Sequence, residues 1–221
     1  VRAVLPKLFE VIRESEGLLL HNRIFLDRTQ GVGILERDRA IDLGCTGPVL
    51  RSTGVDYDVR KDNPYMVYDR FDFDVPVGKD GDNYDRFMYR FEEVRQSIRI
   101  IEQALDQMPD SGPVSVDDAR TILPEKNEVY TTIEATIAHF KLVMEGLKIP
   151  AGAAYQYTEG GNGEMGFDVV SDGSGTPYRV RVRPPCWYNL QACRGMLIGD
   201  MVADIVPTFG SINMIGGECD R

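Results

Sequence analysis

The chain has 221 residues, 43% of them hydrophobic, and 25 basic against 35 acidic side chains give a net charge of −10. That length and apolar content suffice for one large domain or two small ones around a real core, and the acidic balance excludes a surface for nucleic acid or anionic lipid, which takes clustered Lys and Arg. Two histidines and four cysteines exclude most metal sites, and no apolar run approaches the roughly 20 residues that span a bilayer.

Val1 is not an initiator residue, and the first five residues carry neither a signal-peptide core nor a cleavage pattern. Leu5, Leu8, Phe9 and Ile12 read as a helical face in need of a partner, so the chain is expected to be a piece of something longer. Helical periodicity runs through 1–26 with an interruption expected around Gly17. Gly31, Gly33, Gly44, Gly47-Pro48 and Gly54 then break the chain into turns around one helical piece at 36–43. Cys45, Cys186, Cys193 and Cys219 form no Cys-x-x-Cys pair and have no nearby His. They read as ordinary thiols rather than as zinc ligands or a disulfide framework.

Residues 54–82 hold eight aspartates against four basic residues, interleaved with Tyr57, Tyr65, Tyr68, Phe71 and Phe73. Disordered acidic linkers lack aromatics, so this segment is expected to be ordered, irregular and anchored by its rings. Asp69, Asp72 and Asp74 around Arg70 suggest a calcium loop, but the EF-hand spacing is missing, and a solvated face with local salt bridges is the better reading. Next, Tyr84, Phe87, Phe91, Val94, Ile98, Ile101, Leu105 and Met108 step by three and four, which predicts a helix over 83–108 with one apolar stripe. Glu92–Arg95 and Arg99–Glu102 are opposite charges one turn apart on it. Pro109, Gly112 and Pro113 end it.

A second helix is expected after the turn-rich stretch 109–127. Thr131 and Glu134 read as its capping box, Ile133, Ile137, Phe140, Met144 and Leu147 as its apolar face, and Pro150 as its end. The period then switches to two. Residues 153–157 and 167–170 read as strands, and Tyr178, Val180 and Val182 alternate with Arg179, Arg181 and Arg183. The link at 171–177 has hairpin-loop chemistry. The arginine row faces solvent, or pairs with aspartates or with a neighbouring subunit. Met196, Leu197, Met201, Val202, Ile205 and Val206 predict one last helix that Pro207 ends, before a glycine-rich tail. The fold class is therefore mainly α, a helical bundle with a small antiparallel β insertion. The chain divides into helix and turns at 1–52, an acidic aromatic segment at 53–82, bundle helices at 83–149, the β insertion at 150–184, and a helix and tail at 185–221.

Few motifs that carry chemistry are present. Gly161-Asn162-Gly163-Glu164-Met165-Gly166 fits G-x-G-x-x-G by letters, but it precedes a strand instead of opening a helix, so it reads as a loop and not as a dinucleotide site. P-loop, Gly-x-Ser-x-Gly and His-Glu-x-x-His strings are absent. A Ser–His–Asp site would need His21 or His139, and nothing favours either.

Longer strings do carry a family resemblance. Residues 40–48 (Ala-Ile-Asp-Leu-Gly-Cys-Thr-Gly-Pro) and 50–61, with Leu50-Arg51-Ser52 and Asp56-Tyr57-Asp58-Val59-Arg60-Lys61, resemble the D-type subunit of NADH-quinone oxidoreductase, respiratory complex I. The match continues through Phe73-Asp74-Val75-Pro76-Val77-Gly78, Thr158-Glu159, Gly163-Glu164-Met165-Gly166, Val170-Ser171-Asp172-Gly173 and 177–184. The tail Gly217-Glu218-Cys219-Asp220-Arg221 resembles that family's C-terminus. The resemblance implies a fold shared with the large subunit of nickel–iron hydrogenases. It also implies a place in the peripheral arm on the cytoplasmic face of the bacterial inner membrane, lining the quinone-reduction cavity beside an iron–sulfur subunit and near the membrane arm. Quinone is then the substrate, and NADH, FMN and iron–sulfur clusters belong to partner subunits. No cofactor or metal is bound by this chain, and the isolated fragment is expected to be inactive.

The family's quinone head-group His and Tyr lie in the N-terminal half, so no catalytic residue is assigned. Cavity-wall candidates are Ile215, Glu218, Asp220 and Arg221. In the hydrogenase pattern Asp-Pro-Cys-x-x-Cys-x-x-His, the two cysteine positions fall on Ile215 and Glu218 and the His position on Arg221, so a nickel–iron centre lacks its thiolates. Asn213 stands where the family usually carries Asp, and Cys186 and Trp187 replace the more usual Ser and Phe. Two other readings are a scaffold subunit without quinone contact and a hydrogenase-like or other-donor quinone reductase subunit.

Overall fold

The computed structural model describes residues 1–118 and 120–220. Its helices are α1 (Leu5–Leu19), α2 (Arg23–Thr29), α3 (Arg37–Asp42), α4 (Pro48–Arg51), α5 (Val59–Asp62), α6 (Asn83–Gln107), α7 (Lys126–Thr131), α8 (Ile133–Phe140), α9 (Pro185–Leu197), α10 (Ile205–Ile212) and α11 (Gly216–Cys219). Strands β1 (Gly152–Gly160), β2 (Gly163–Ser171) and β3 (Arg179–Arg183) form one antiparallel sheet in the order β1-β2-β3. A mainly α chain with a small β insertion is thus what the sequence builds. Two compact units result, one of residues 1–107, 157–165 and 183–221, the other of 108–156 and 166–182.

In the first unit, α1 runs straight through Gly17, where an interruption was expected. A single helical glycine costs only about 1 kcal/mol against Ala, too little to stop a helix with good neighbours. The break comes at Asn22, whose side-chain oxygen accepts from the Ile24 and Phe25 N–H groups and so starts α2. Leu5 and Ile12 of α1 pack with Ile98 and Phe91 of α6. A larger core joins Leu35, Ala40, Cys45, Val49 and Leu50 to Ala192, Cys193, Met196 and Ile212. Segment 54–82 is ordered as expected. Tyr65, Tyr68 and Phe71 stack edge to face, and buried Phe73 lies under the Arg60 and Lys61 cations.

Helix α6 departs from its apolar stripe. Phe91 and Ile98 pack inward, but Val94, Ile101 and Met108 are exposed, while Asn83, Arg86 and Tyr89 are buried. A second, polar stripe therefore faces the interior, because its hydrogen-bond partners come from remote segments. Arg95 bonds Glu92 as expected and also Glu16, whereas Arg99 turns to Asp72 and Asp74 instead of Glu102. The expected single C-terminal helix is two. Ile198 and Met201 are extended, and Pro207 sits in the first turn of α10, where its missing N–H has no helical partner to lose.

In the second unit, a short helix that was not expected, α7, precedes the expected one, which is capped by Thr132. That residue is extended and accepts from the Ala135 N–H as the cap of α8, one position after the Thr131 predicted for the role. The Thr131 hydroxyl bonds back to the Asn127 carbonyl inside α7. Ile133, Ile137, Phe140, Met144 and Leu147 are all exposed, so the apolar face predicted for a bundle is not covered within the described residues. A π-helical turn at Lys141–Glu145 follows. Asp172 accepts from Ser174 N in the loop between β2 and β3, the turn chemistry anticipated there.

The G-x-G-x-x-G string divides between the Gly161–Asn162 turn and the start of β2, so only its first two residues form a loop. Here Gly47 and Gly163 meet backbone to backbone. A Cβ built on Gly47 lies 2.4 Å from Gly163 Cα, and both residues have positive φ. Gly47→Ala is therefore expected to destabilise the chain by roughly 3 kcal/mol or more, from left-handed strain plus the clash. Gly17→Ala, with nothing within 4 Å of its Cβ, is expected to stabilise by about 0.5–1 kcal/mol. Urea unfolding midpoints at constant m check both.

Candidate functional site

The tail residues singled out in sequence meet the N-terminus of α9. Pro185 opens that helix, which leaves the next N–H, of Cys186, without a helical partner. Glu218 Oε2 accepts this N–H at 3.0 Å, placing a carboxylate at a helix N-terminus. The Cys186 thiol is fully buried, bonds the Glu218 carboxylate, and accepts from Ile215 N and from Asn162 Nδ2, each at 3.4 Å. Burial first, and then the Glu218 hydrogen bond, push the thiol up to about 11. The sulfur stays protonated and is a poor metal ligand. Among the described residues no three His, Cys, Asp or Glu side chains are grouped to hold a metal ion.

Around this thiol lies an amide network, with Asn162 and Asn189 buried, that sequence spacing does not reveal. Asn213, in left-handed conformation at the end of α10, donates to Asn162 Oδ1 at 2.8 Å. Asn189 donates to the Asn162 carbonyl at 3.0 Å, exchanges bonds with the Thr46 backbone, and is fully buried. The role of Asn213 is thus an amide contact, not a charge. Cys186, which stands where the family more usually carries Ser, is the centre of the site. Of the four tail candidates, Ile215 contributes its N–H and Glu218 its carboxylate, whereas the Ile215 side chain and Asp220 are exposed. Arg221 lies outside the described residues.

A second polar cluster is larger and was not anticipated. Arg51, only 1% exposed, ends α4 and is bonded on every nitrogen. Its Nε meets the Tyr89 hydroxyl, Nη1 meets the Tyr57 carbonyl at 3.0 Å and Glu159 at 2.8 Å, and Nη2 meets Glu93 at 2.6 Å. Asp58 lies 3.4 Å away and is itself clamped by Arg60 through Nε and Nη2. Burial alone would lower the Arg51 pKa, but Tyr89 and the three carboxylates more than reverse it. Burial raises Glu159 against the opposing charge of Arg51, whereas Asp58, despite burial, is held low by Arg60 and Arg51. Arg51, Asp58 and Glu159 all lie in the strings that carry the family resemblance, the one signal that could have found them.

The third arginine of the row at 179, 181 and 183 is also structural. Arg183 donates to the Glu164 carbonyl at 2.7 Å and the Gly44 carbonyl at 2.9 Å and lies over the Tyr188 ring. Arg179 is exposed with a 3.5 Å contact to Asp168, and Arg181 faces solvent. His21 and His139 belong to neither polar cluster. Removing Arg51 would strand Glu93 and Glu159 in the interior, since Asp58 keeps Arg60. Arg51→Met is expected to cost about 3–5 kcal/mol of folding stability, and Arg51→Lys to recover only part of it, since an ammonium cannot span the same acceptors. Chemical denaturation of the two variants checks this.

Comparison with known proteins places these residues in a family. Residues 1–221 match the family described as "Respiratory-chain NADH dehydrogenase, 49 Kd subunit". The chain is 65% identical over 221 residues to the D-type subunit, numbered 1, of NADH-quinone oxidoreductase from Sorangium cellulosum (strain So ce56), covering 100% of this chain and 55% of that protein. It is 56% identical over 221 residues to the D-type subunit of the enzyme from Myxococcus xanthus (strain DK1622), covering 100% and 53%. With the corresponding subunit from Pelobacter propionicus it shares 50% identity over 224 residues, 98% of this chain and 55% of that protein. The chain thus spans a little over half the length of these relatives. It belongs to the 49 kDa subunit family of respiratory-chain NADH dehydrogenase, whose curated members include the D-type subunit of NADH-quinone oxidoreductase.

Proposed function

We propose that this chain is the C-terminal part of a peripheral-arm subunit of a proton-pumping NADH-quinone oxidoreductase and helps to wall the quinone-reduction cavity. The observation that carries this reading is the family match over residues 1–221, joined to relatives named as the D-type subunit at up to 65% identity. No helix among the described residues is long and apolar enough to cross a membrane, which fits a peripheral position on the cytoplasmic face of the bacterial inner membrane. The chain itself binds no cofactor in this reading. NADH, FMN and iron–sulfur clusters sit in partner subunits, and the contacts run to an iron–sulfur subunit and to the membrane arm. The fold is that of the nickel–iron hydrogenase large subunit, with Ile215 and Glu218 at the lost thiolate positions. Both converge on the Cys186 thiol, which supports the idea of a former metal site closed over by a carboxylate, a thiol and amides.

The wall is formed by Ile215, Asp220 and Arg221, while Glu218 anchors the tail. A second reading, a scaffold without quinone contact, is favoured for Glu218 taken alone, because its carboxylate is spent on Cys186. The two separate in the intact complex. Arg221→Ala is expected to lower NADH:quinone turnover at least several-fold while the complex still assembles. Unchanged kinetics would remove the wall role from this residue. Glu218→Gln, which keeps an acceptor for Cys186 N–H, is expected to preserve assembly and turnover. Loss of partner subunits with unaltered quinone affinity in either variant supports the scaffold.

A further inference from the structure

Three carboxylates and two guanidiniums meet in the interior of the first unit: Asp58, Glu93 and Glu159 with Arg51 and Arg60. The Asp58–Arg60 pair is closed on itself, with Asp58 Oδ1 taking Arg60 Nε and the Arg60 backbone N–H, both at 2.9 Å, and Oδ2 taking Nη2 at 2.6 Å. One guanidinium, Arg51, is left between two carboxylates, Glu93 at 2.6 Å and Glu159 at 2.8 Å. If both were ionised, the cluster would carry one uncompensated negative charge, with Arg51 1% exposed and the Glu159 side chain 4% exposed. An unmatched charge in such a place is costly, and a proton is the smallest group that cancels it.

We propose that the Arg51 cluster is a proton-holding site, in which Glu159 takes up and releases one proton through the small cavity it shares with Glu93. The geometry selects Glu159 over its neighbour. Glu93 Oε1 accepts from both Arg51 and the Tyr89 hydroxyl, the latter at 2.7 Å, and its side chain is 19% exposed. Glu159 Oε1 faces Arg51, whereas Oε2 has, among the described residues, only a long 3.4 Å bond from Val59 N, which leaves room for a hydrogen. The cavity has a volume of about 160 Å³ and is lined by Arg60, Glu93, Ser97, Glu159, Gly160 and Gly161. At about 30 Å³ per water molecule it holds a few waters. The proton arrives from bulk solvent as hydronium relayed through those waters: its O–H bond to water breaks as the Glu159 Oε2–H bond forms, neutral water is left behind, and release runs the same exchange in reverse.

Arg90, one turn along α6, is a further, half-buried cation whose charge couples to Glu93 and not to Glu159, and its guanidinium is held by the Ser211 and Ile212 carbonyls. From the segment around α5 come Tyr57, Asp62, which accepts from Asp58 N, and Tyr65, whose hydroxyl accepts from Glu159 N. From β2 comes Glu164, which takes the Tyr57 hydroxyl at 2.6 Å and has Arg183 at 3.7 Å as counter-charge. Burial holds the Glu159 pKa above that of an ordinary glutamate. A group raised in this way contributes stability that is fully present below the unfolded pKa and lost as pH rises through the folded one. The folded chain therefore keeps this proton at a pH where the unfolded chain has released it. Proton holding depends on the cluster alone and stands apart from any contact with quinone.

An infrared pH titration of the full chain tests it, read at the carbonyl stretch of a protonated carboxyl group. The expected result is one carboxyl that titrates above the ordinary glutamate range and is lost in Glu159→Gln. That variant is expected to fold, since the amide reproduces the protonated acid. Glu93→Gln removes the competing charge, so the Glu159 midpoint is expected to fall by about one pH unit. A band that survives Glu159→Gln, a midpoint unmoved by Glu93→Gln, no carboxyl titrating above the ordinary range, or a Glu159→Gln chain that does not fold each overturns the proposal.

Discussion

A single buried guanidinium organises the first unit. Desolvating Arg51 costs several kcal/mol, and that cost is met only when all of its acceptors are in place. Those acceptors come from widely separated stretches: the Tyr57 carbonyl and Asp58 beside α5, Tyr89 and Glu93 from α6, and Glu159 from β1. Contacts this remote in sequence close large loops, so none forms cheaply by itself. Together they make the position of α4 conditional on α6 and on the end of the β1–β2 hairpin. The close approach of Gly47 to Gly163 adds a steric condition beside the electrostatic one, since the loop before α4 fits only where two backbones lack side chains. Charge and shape thus fix the same junction.

Arg86 solves the same problem with different acceptors. It is fully buried, yet it bonds the Gly33 and Gly81 carbonyls, Asn83 and Ser211, and among the described residues no carboxylate forms an ion pair with it. Burial accordingly pulls its pKa down to about 10, the reverse of Arg51. Gly33 and Gly81 both have positive φ, and their carbonyls are the ones that meet Arg86, so two turn glycines serve the interior charge as well as the chain path. One turn further on, Arg90 donates to the Ser211 and Ile212 carbonyls at the end of α10, where a cation is favoured. Helix α6 is therefore a column of polar heads, and the short elements around it are arranged to receive them.

That column explains what was legible in the sequence. Elements whose partners are local could be read. The strands and their turn chemistry, the helix over 83–108, the helical piece near 36–43 and the aromatic anchoring of the acidic segment all rest on spacing within a few residues. Hydrophobic periodicity, however, assumes that the interior is apolar. It marked Val94, Ile101 and Met108 for burial and had no means of choosing Asn83, Arg86 and Tyr89, because their hydrogen-bond partners lie up to 128 residues away in sequence. The cap at Thr132 was placed one residue early for the opposite reason, since two adjacent threonines compete for one cap and only the backbone decides between them. Among the tail residues, the family resemblance pointed at Glu218, but its partner Cys186 could not be found from spacing at all.

The Cys186 site shows how a carboxylate can secure a tail. Helix α11 is four residues long and has no side-chain cap of its own, so it needs an external hold. Glu218 supplies it by bonding both the N–H and the thiol of Cys186, which ties the last turn of the chain to the start of α9. Ser in place of Cys186 would offer the same donor and acceptor pattern with a smaller atom, so the thiol is a variation in size more than in chemistry. The consequence for the tail is a division of labour. With Glu218 committed inward, the exposed Ile215 side chain and Asp220 are the described members of the four tail candidates left to meet another molecule. One is apolar and one is charged. A partner surface that covers them has to bury the first and solvate or pair the second.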